Sequence, residues 1–435
     1  MGVQGLTNIL VRYAPSAVRE IRANTLSKQT IAFDASCHLN KFIYGEDKGV
    51  PHRHIHGFYQ LARFCQLNHI TPIFVFDGPG RLPAKHLETE KRARSRRKVK
   101  HSLLFEQNQS TRLDAWSQLT TALAENSGAC YPTIQPDIES KMTVMAKELR
   151  QALSNSTDSE KYTRTVRELA IREDGLVTDM MLHRIKEAQS CLKTLQRDNL
   201  AMTHSLEKRS FQITQTIRTE CQDFLKALGF VCFSTNDHEA EAMCANLSKQ
   251  GRTTATVSED LDTLVFGDAP ILRHFFSKAR PILQMDPIVA RKELGLSRAS
   301  FVDLCILCGT DFSGTIRGIG PHRAVEWIKK YGSIERILEH LDSTTYEASP
   351  TFNYQLARDV FHHLPLIPSH DDAYVGKRQN EALVDDLLKF YEIDPVDVEI
   401  KLRSSHLTQN IIHASQWGIN PFSPNPISND LFRFN

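Results

Sequence analysis

Pro72-Ile73-Phe74-Val75-Phe76-Asp77-Gly78-Pro79 is a β-branched and aromatic run that ends on a carboxylate and is then broken by Gly78 and Pro79. Its apolar residues are consecutive rather than alternate, which is how a strand buried on both faces of a parallel sheet reads. Two other stretches end the same way. Thr30-Ile31-Ala32-Phe33 runs into Asp34, and Thr253-Thr254-Ala255-Thr256-Val257-Ser258 runs into Glu259-Asp260-Leu261-Asp262. Helical patterns intervene at residues 56–67 and 239–249, so strands alternate with helices and the fold class is α/β. In such sheets ligands bind beyond the carboxyl ends of the strands, where three Asp-bearing strand ends are expected to converge.

Two further groups of acids join them. In Asp237-His238-Glu239-Ala240-Glu241, after a short strand at residues 229–234, two glutamates open a helix, and in Leu307-Cys308-Gly309-Thr310-Asp311 an Asp follows an apolar helix. One carboxylate at a strand end is ordinarily a cap or a turn residue. Seven together (Asp34, Asp77, Glu239, Glu241, Asp260, Asp262 and Asp311) repel one another unless divalent cations lie among them. All-oxygen ligation selects Mg2+ or Mn2+. Two such ions about 4 Å apart are suited to polarising a phosphodiester and activating water.

The chain has 435 residues, enough for two to three domains at roughly 150 residues each. Its formal charge is only +2, from 53 Lys and Arg against 51 Asp and Glu. That balance hides segregation. Between Arg81 and Lys100 nine basic residues face two acids, a local +7 that leaves −5 for the remainder. So many like charges on one helix are costly unless a polyanion neutralises them, although a solvated face or an import signal has the same composition.

A second phosphate grip is written in Gly314-Thr315-Ile316-Arg317-Gly318-Ile319-Gly320-Pro321-His322-Arg323-Ala324, between helical stretches at residues 299–308 and 322–331. Glycines let the backbone approach a phosphate, and the second helix offers free N–H groups at its start. Such a grip holds a duplex without reading its bases; an ordinary helix-hairpin turn is the plainer alternative.

Together these motifs resemble the XPG superfamily of structure-specific 5′ nucleases, in particular the eukaryotic flap endonucleases. The resemblance is carried by Met1-Gly2-Val3-Gln4-Gly5-Leu6, Ala14-Pro15-Ser16-Ala17, Asp34-Ala35-Ser36, Val75-Phe76-Asp77-Gly78, Glu239-Ala240-Glu241, Ser258-Glu259-Asp260-Leu261-Asp262 and residues 301–324, in the family's order. It implies a PIN-like α/β domain, with the seven acids holding two Mg2+ ions and a helical arch threaded by a 5′ single strand. It also implies a helix-two-turn-helix that grips duplex through Arg317, Gly318, Gly320 and Arg323 and holds K+. Lys85 and Arg92 match the basic pair that contacts the scissile phosphate, with Arg96 and Arg97 continuing that ridge, and Gly2 lies beneath the active site. Asp77 and Asp260 are carried over as catalytic as well as metal-binding. The implied substrate is flapped or branched DNA in replication and repair; a 5′-3′ exonuclease, a bubble or junction endonuclease, and an inactive DNA-binding relative are the alternatives.

The chain departs from the family pattern in two places. Asn40 stands where flap endonucleases place a stacking Tyr, leaving Phe42 or Tyr44 as candidate rings, with stacking worth about 1–3 kcal/mol per base. In addition, Glu239 lies 162 positions after Asp77. Within that insert Met181, Ile185, Ala188, Leu192, Leu195, Asn199, Met202 and Leu206 follow a heptad seam, which predicts one helix over residues 176–210, paired with a helix at 138–153 across a polar break at 154–159. The insert is either a self-packed decoration or an enlarged arch that selects 5′ ends. The expected division is 1–105, a nuclease region with the basic arch helix; 106–212, the helical insert; 213–345, the second nuclease region; and 346–435, a helical and polar tail.

Nine cysteines are scattered without a framework spacing, and Cys305-x-x-Cys308 lacks a second pair at zinc spacing, so a reduced intracellular setting and core packing are expected. No apolar run is long enough for a membrane span. Leu6 stands where a myristoylation motif requires Ser or Thr. Gln416-Trp417-Gly418-Ile419-Asn420-Pro421-Phe422 places Gln, Ile and Phe as a sliding-clamp-binding peptide does, with Ser423 in place of the second aromatic, so clamp binding and a packed terminal segment both stay open. The family resemblance implies a nuclear monomer, with a mitochondrial address as the alternative.

Overall fold

Seven strands make one sheet: β1 (Val18–Ile21), β2 (Thr30–Asp34), β3 (Thr71–Phe76), β4 (Val231–Ser234), β5 (Thr256–Val257), β6 (Ile271–Arg273) and β7 (Ile282–Met285), in the order β1-β7-β6-β5-β2-β3-β4. The computed structural model describes residues 2–45, 51–80, 82–126, 136–156, 161–182, 184–277, 280–342, 344–377 and 379–404. From β6 across to β4 every pairing is parallel, and only the pairings to β7 are antiparallel. The sheet is therefore mostly parallel, as the consecutive apolar runs require.

Both faces of the central strands are buried, with a period of two. Phe33, Phe74 and Phe76 pack into one cluster with Ile55, Phe58 and Phe64 of the helix Arg53–Leu67 and Phe224 of the helix Gln215–Ala227. Ala32, Ile73 and Val75 point the other way, onto Ala240, Met243, Cys244 and Leu247 of the helix Ala240–Lys249. Phe33 meets Phe275 edge-on at 5.1 Å and Phe74 at 5.4 Å. Each fully buried ring contributes about 1.5–3 kcal/mol. Register then sets the site: Phe33 pairs with both Phe74 and Val257, so the residues that follow on β2 and β5, Asp34 and Ser258, emerge side by side.

Two compact units divide the chain. The first comprises Met1–Glu88 and Ile213–Asn435, the second Thr89–Gln212. The second unit begins seventeen residues before the expected boundary at 106, because the basic stretch does not end there but continues as one helix, His86–Asn126. In the first unit the described carboxyl-terminal residues contribute to the core. Val384, Leu388, Tyr391, Val398 and Leu402, from the helices Glu381–Phe390 and Pro395–Ser404 and the turn between them, are buried in the Phe33 cluster. Cys305 and Cys308 are buried in the core, as expected from their apolar helix Arg298–Cys308.

The second unit consists, among its described residues, of the helices His86–Asn126 (from Thr89), Pro136–Ser156, Arg164–Met181 and Ile185–Ser210. The single helix expected over 176–210 is two, and the reason is phase. Met180 is buried in the first of them while Met181, which the heptad needs inside, is 40% exposed. Among the residues whose burial is described, the stripe resumes at Ala188, Leu192, Leu195, Asn199 and Leu206. The two helices pack on each other, linked by an Arg172–Asp198 ion pair at 2.9 Å, so the seam's main partner is Arg164–Met181 rather than residues 138–153. Asn199 is buried yet satisfied, donating to the Glu106 backbone oxygen at 2.9 Å and to Glu106 Oε2 at 2.7 Å. Glu173, fully buried, accepts from Gln109, Trp116 and both arms of Arg112.

Candidate active site

Asp34 closes β2 and caps the helix Ala35–Tyr44, its Oδ1 accepting the Cys37 N–H at 2.9 Å. Its Oδ2 accepts the Ser258 hydroxyl at 2.9 Å, and Ser258 Oγ in turn accepts the Asp260 N–H at 3.0 Å. Asp77, just past β3, accepts the Ala240 N–H at 2.9 Å and so holds the start of the helix that carries Glu241, while its own N–H donates to Ser36 Oγ at 2.9 Å. Asp260 Oδ1 accepts the Asp262 N–H at 3.1 Å. One carboxylate oxygen each from Glu241, Asp260 and Asp262 lies within 4.8 Å of the others.

These acids repel strongly. Burial, and then the charge of Asp77, lift Asp34 to about 7. Burial, and then Asp260, push both Glu241 and Asp262 well above the usual carboxylate range, and burial lifts Glu239 and Asp260 as well. Among the described residues the ammonium in the group is that of Lys85, 2.9 Å from Glu239 Oε2 and 3.9 Å from Asp311 Oδ2, with its Nζ 5.1 Å from the centre of the Phe312 ring. Burial opposes its charge, but Glu241 and Glu239 outweigh that and hold it protonated. Lys85 ends the short turn Pro83–Lys85, just before the long helix begins.

Asp262 is fully buried, and neither of its oxygens has a hydrogen-bond partner; Glu241 Oε1 is in the same condition. Orphaned buried carboxylate oxygens are rare because they cost several kcal/mol. An oxygen-only donor set with three such atoms fits a hard divalent cation. All seven acids that the sequence singled out are thus drawn into one group by a shared bond, a common lysine or mutual charge.

Gly2 belongs to this site by geometry. It has φ +77°, and a Cβ there would stand 2.0 Å from Asp260 Oδ1 and 2.7 Å from the Asp262 nitrogen. Gly5, at φ +67°, is pressed against Pro321, and the Gln4 N–H donates to the Gly309 carbonyl at 3.1 Å. The amino-terminal segment therefore ties the carboxylates to the turn between the helices Arg298–Cys308 and Pro321–Tyr331. On that turn Arg317, Gly318, Gly320 and Arg323 are exposed, Gly318 at φ +86° with its carbonyl held by Arg323 at 2.6 Å. Arg92, Arg96 and Arg97 are exposed on the long helix within the second unit.

Of the two rings left open by Asn40, Phe42 is taken by the core. It stacks edge-on with Phe58 at 5.2 Å, and its ring lies where a Cβ on Gly57 would be. Tyr44 is exposed, and Asn40 donates back to the Ser36 carbonyl at 2.8 Å. Sequence reasoning missed the supporting hydroxyl of Ser36 and the role of Phe312, since neither has a pattern of its own. The Gln416–Phe422 peptide lies outside the described residues.

The chain matches the XPG N-terminal domain over residues 1–100 and the XPG I-region over residues 231–311. It is 29% identical over 375 residues to Flap endonuclease 1 of Caenorhabditis briggsae, spanning 83% of this chain and 74% of that protein. Flap endonuclease 1 of Aedes aegypti is 29% identical over 399 residues, with 88% and 81% covered. Among solved structures, the catalytic core of Rad2 in complex with DNA substrate superposes with a TM-score of 0.55 at 17% identity, covering 92% of this chain and all of that one. Human GEN1 in complex with Holliday junction DNA gives 0.51 at 15% identity, covering 92% and 77%. These last two likenesses establish the fold.

Proposed function

We infer that this chain is a structure-specific nuclease of the XPG type and that it hydrolyses DNA phosphodiesters at 5′ flaps or related branched junctions. The observation that carries the reading is the pair Asp262 and Glu241, whose buried oxygens lack partners at the carboxyl end of a parallel sheet. The named relatives are flap endonucleases, and the structural neighbours hold DNA substrate or junction DNA, which supports a branched-DNA partner.

Asp34, Asp77, Glu239, Glu241, Asp260, Asp262 and Asp311 are the residues that would hold two Mg2+ ions, or Mn2+ in their place. Bound there, such ions supply Lewis acidity toward the phosphodiester and the attacking water. Lys85, held protonated by its carboxylate neighbours, faces negative charge that builds on the transferred phosphate. Arg92, Arg96 and Arg97 bind the strand that carries the 5′ end through its phosphates. Gly318, Gly320, Arg317, Arg323 and the start of the helix Pro321–Tyr331 grip the duplex backbone, and K+ at this turn is part of the same reading. The helical unit selects which 5′ ends are admitted. The protein acts as a nuclear monomer in replication and repair, and Gln416–Phe422 is its candidate contact with a sliding clamp.

The test is cleavage of 5′-flap, nicked, bubble and four-way-junction substrates in Mg2+, with and without residues 106–210. Preferred cleavage of flaps is expected; preference for bubbles or junctions would replace the flap assignment. Asp77→Ala and Asp260→Ala are expected to abolish cleavage and keep duplex binding. Activity in both would remove them from the site. Unchanged preference after the deletion would refute selection by the helical unit.

A further inference from the structure

His52 and His54 flank the start of the helix Arg53–Leu67, and Glu220 lies on the helix Gln215–Ala227, 166 residues later in the chain than His54. One ligand-type atom from each lies within 4.8 Å of the other two. His54 Nε2 is 3.0 Å from Glu220 Oε2, and His52 Nδ1 is 3.9 Å from Glu220 Oε1. We propose that His52, His54 and Glu220 form a second metal site, distinct from the carboxylate cluster and suited to a borderline divalent ion, zinc foremost.

The donor set decides the metal. Two imidazoles and one carboxylate suit zinc and its neighbours and not Mg2+, which takes oxygen. Ligand atoms about 2.0–2.1 Å from a tetrahedral zinc stand about 3.3 Å apart, and the two measured separations bracket that value. The His52 side chain is 42% exposed, so an ion can reach these groups from solvent. To bind, His54 Nε2 must present its lone pair, so the neutral ring carries its proton on Nδ1 in the metal-bound form.

The surroundings are those of a supported ligand set. The Tyr391 hydroxyl donates to Glu220 Oε1 at 2.9 Å, orienting the carboxylate, and its ring meets His52 edge-on at 5.1 Å. His56 Nε2 is hydrogen-bonded to the Tyr391 carbonyl at 2.8 Å, which fixes that residue in turn. Outer partners of this kind tune metal affinity by about 10–100-fold. His52 itself holds a left-handed backbone at φ 51° without being glycine. A metal here would clip together two segments that are distant in sequence, both within the first unit.

The experiment is a Zn2+ titration of the EDTA-stripped full-length protein against a chromophoric chelator, in saturating Mg2+ so that the carboxylate cluster is occupied. One zinc equivalent is expected in the wild type and in Asp262→Asn. It should weaken about tenfold in Tyr391→Phe, and disappear in His54→Ala, Glu220→Gln and His52→Gly. The glycine variant removes a ligand while easing the backbone, so it guards against misfolding, which melting in EDTA monitors. Co2+ in place of zinc should give the intense visible bands of a four-coordinate, nitrogen-ligated ion. Absence of the equivalent in the wild type, its loss in Asp262→Asn, or its persistence in folded His52→Gly would overturn the proposal.

Discussion

The hydroxyl of Ser258 donates to Asp34 Oδ2 at 2.9 Å and so joins the ends of two neighbouring strands through their side chains. The same oxygen accepts the Asp260 N–H, so one small residue orients two acids of the cluster. Ser258→Ala removes both bonds without changing the charge of the site. Apparent Mg2+ affinity or the cleavage rate should fall about 10–100-fold, with duplex binding unaltered. Single-turnover cleavage across a Mg2+ series is the measurement, and a wild-type Mg2+ dependence would deny Ser258 this role.

Asp262→Asn should abolish cleavage and yet stabilise the metal-free protein. Asp262 is fully buried beside Asp260, and its charge is opposed first by burial and then by that neighbour. An amide of the same shape removes the repulsion. Each kcal/mol gained raises the melting temperature by about 2–4 °C in a domain of this size. Melting in EDTA should show the rise and melting in Mg2+ should reverse the ranking; a lower melting temperature in EDTA would mean that the cluster is not under electrostatic strain.

Gly2→Ala is expected to act on catalysis far more than on stability. Its new Cβ would sit 2.0 Å from Asp260 Oδ1, on a backbone at φ +77° that alanine adopts at a cost of about 1–2 kcal/mol. Displacing a ligand group by an ångström costs about a hundredfold in rate. Comparison of single-turnover rates with urea melts separates the two effects, and equal rates for the two proteins would show that the amino terminus yields freely.

Without metal, Asp34 and Glu106 should each lower stability as pH rises from about 4 to about 7, while His38, lowered to about 4 by burial, acts in the opposite sense up to its ordinary value. Asp34 and Glu106, in separate units, are both lifted to about 7, chiefly by burial, so across that window the native state holds protons that the unfolded chain has released. Each such group lowers stability by about 1.4 kcal/mol per pH unit as pH increases. Glu106→Gln should remove the share of the helical unit, and Mg2+ should remove that of Asp34. Urea denaturation of wild type and Glu106→Gln at pH 5 and pH 7.5 in EDTA isolates the Glu106 share; a variant whose stability falls with pH as steeply as that of the wild type would contradict it.

The strand ends were legible because an unbroken apolar run followed by Asp leaves few alternatives to a buried strand emerging at a sheet edge. Asp34, Asp77, Asp260 and Asp262 were found that way, and all are at the site. Gly2 was placed by resemblance alone, since nothing in its own surroundings foretells the contact with Asp260. The insert was misread where a period was extended past its end. Met181 keeps the heptad spacing, but burial had already passed to Met180. Phe42 and Tyr44 look equivalent by spacing, and only the aromatic cluster around Phe58 and Phe276 tells the buried ring from the exposed one. The group His52, His54 and Glu220 was invisible because Glu220 comes from a second helix, 166 positions after His54.

The bond between Asp77 and the Ala240 N–H joins residues 163 positions apart, and the helical unit occupies most of that interval. During synthesis, Asp34 and Asp77 leave the ribosome long before the segments that supply Glu241, Asp260, Asp262 and Asp311 exist. The helical unit, rich in short-range contacts, can fold in the meantime, whereas the sheet must wait for its late strands. A nascent chain of this nuclease consequently lacks a complete carboxylate cluster until Asp311 has been made, an order of assembly dictated by where the insertion falls.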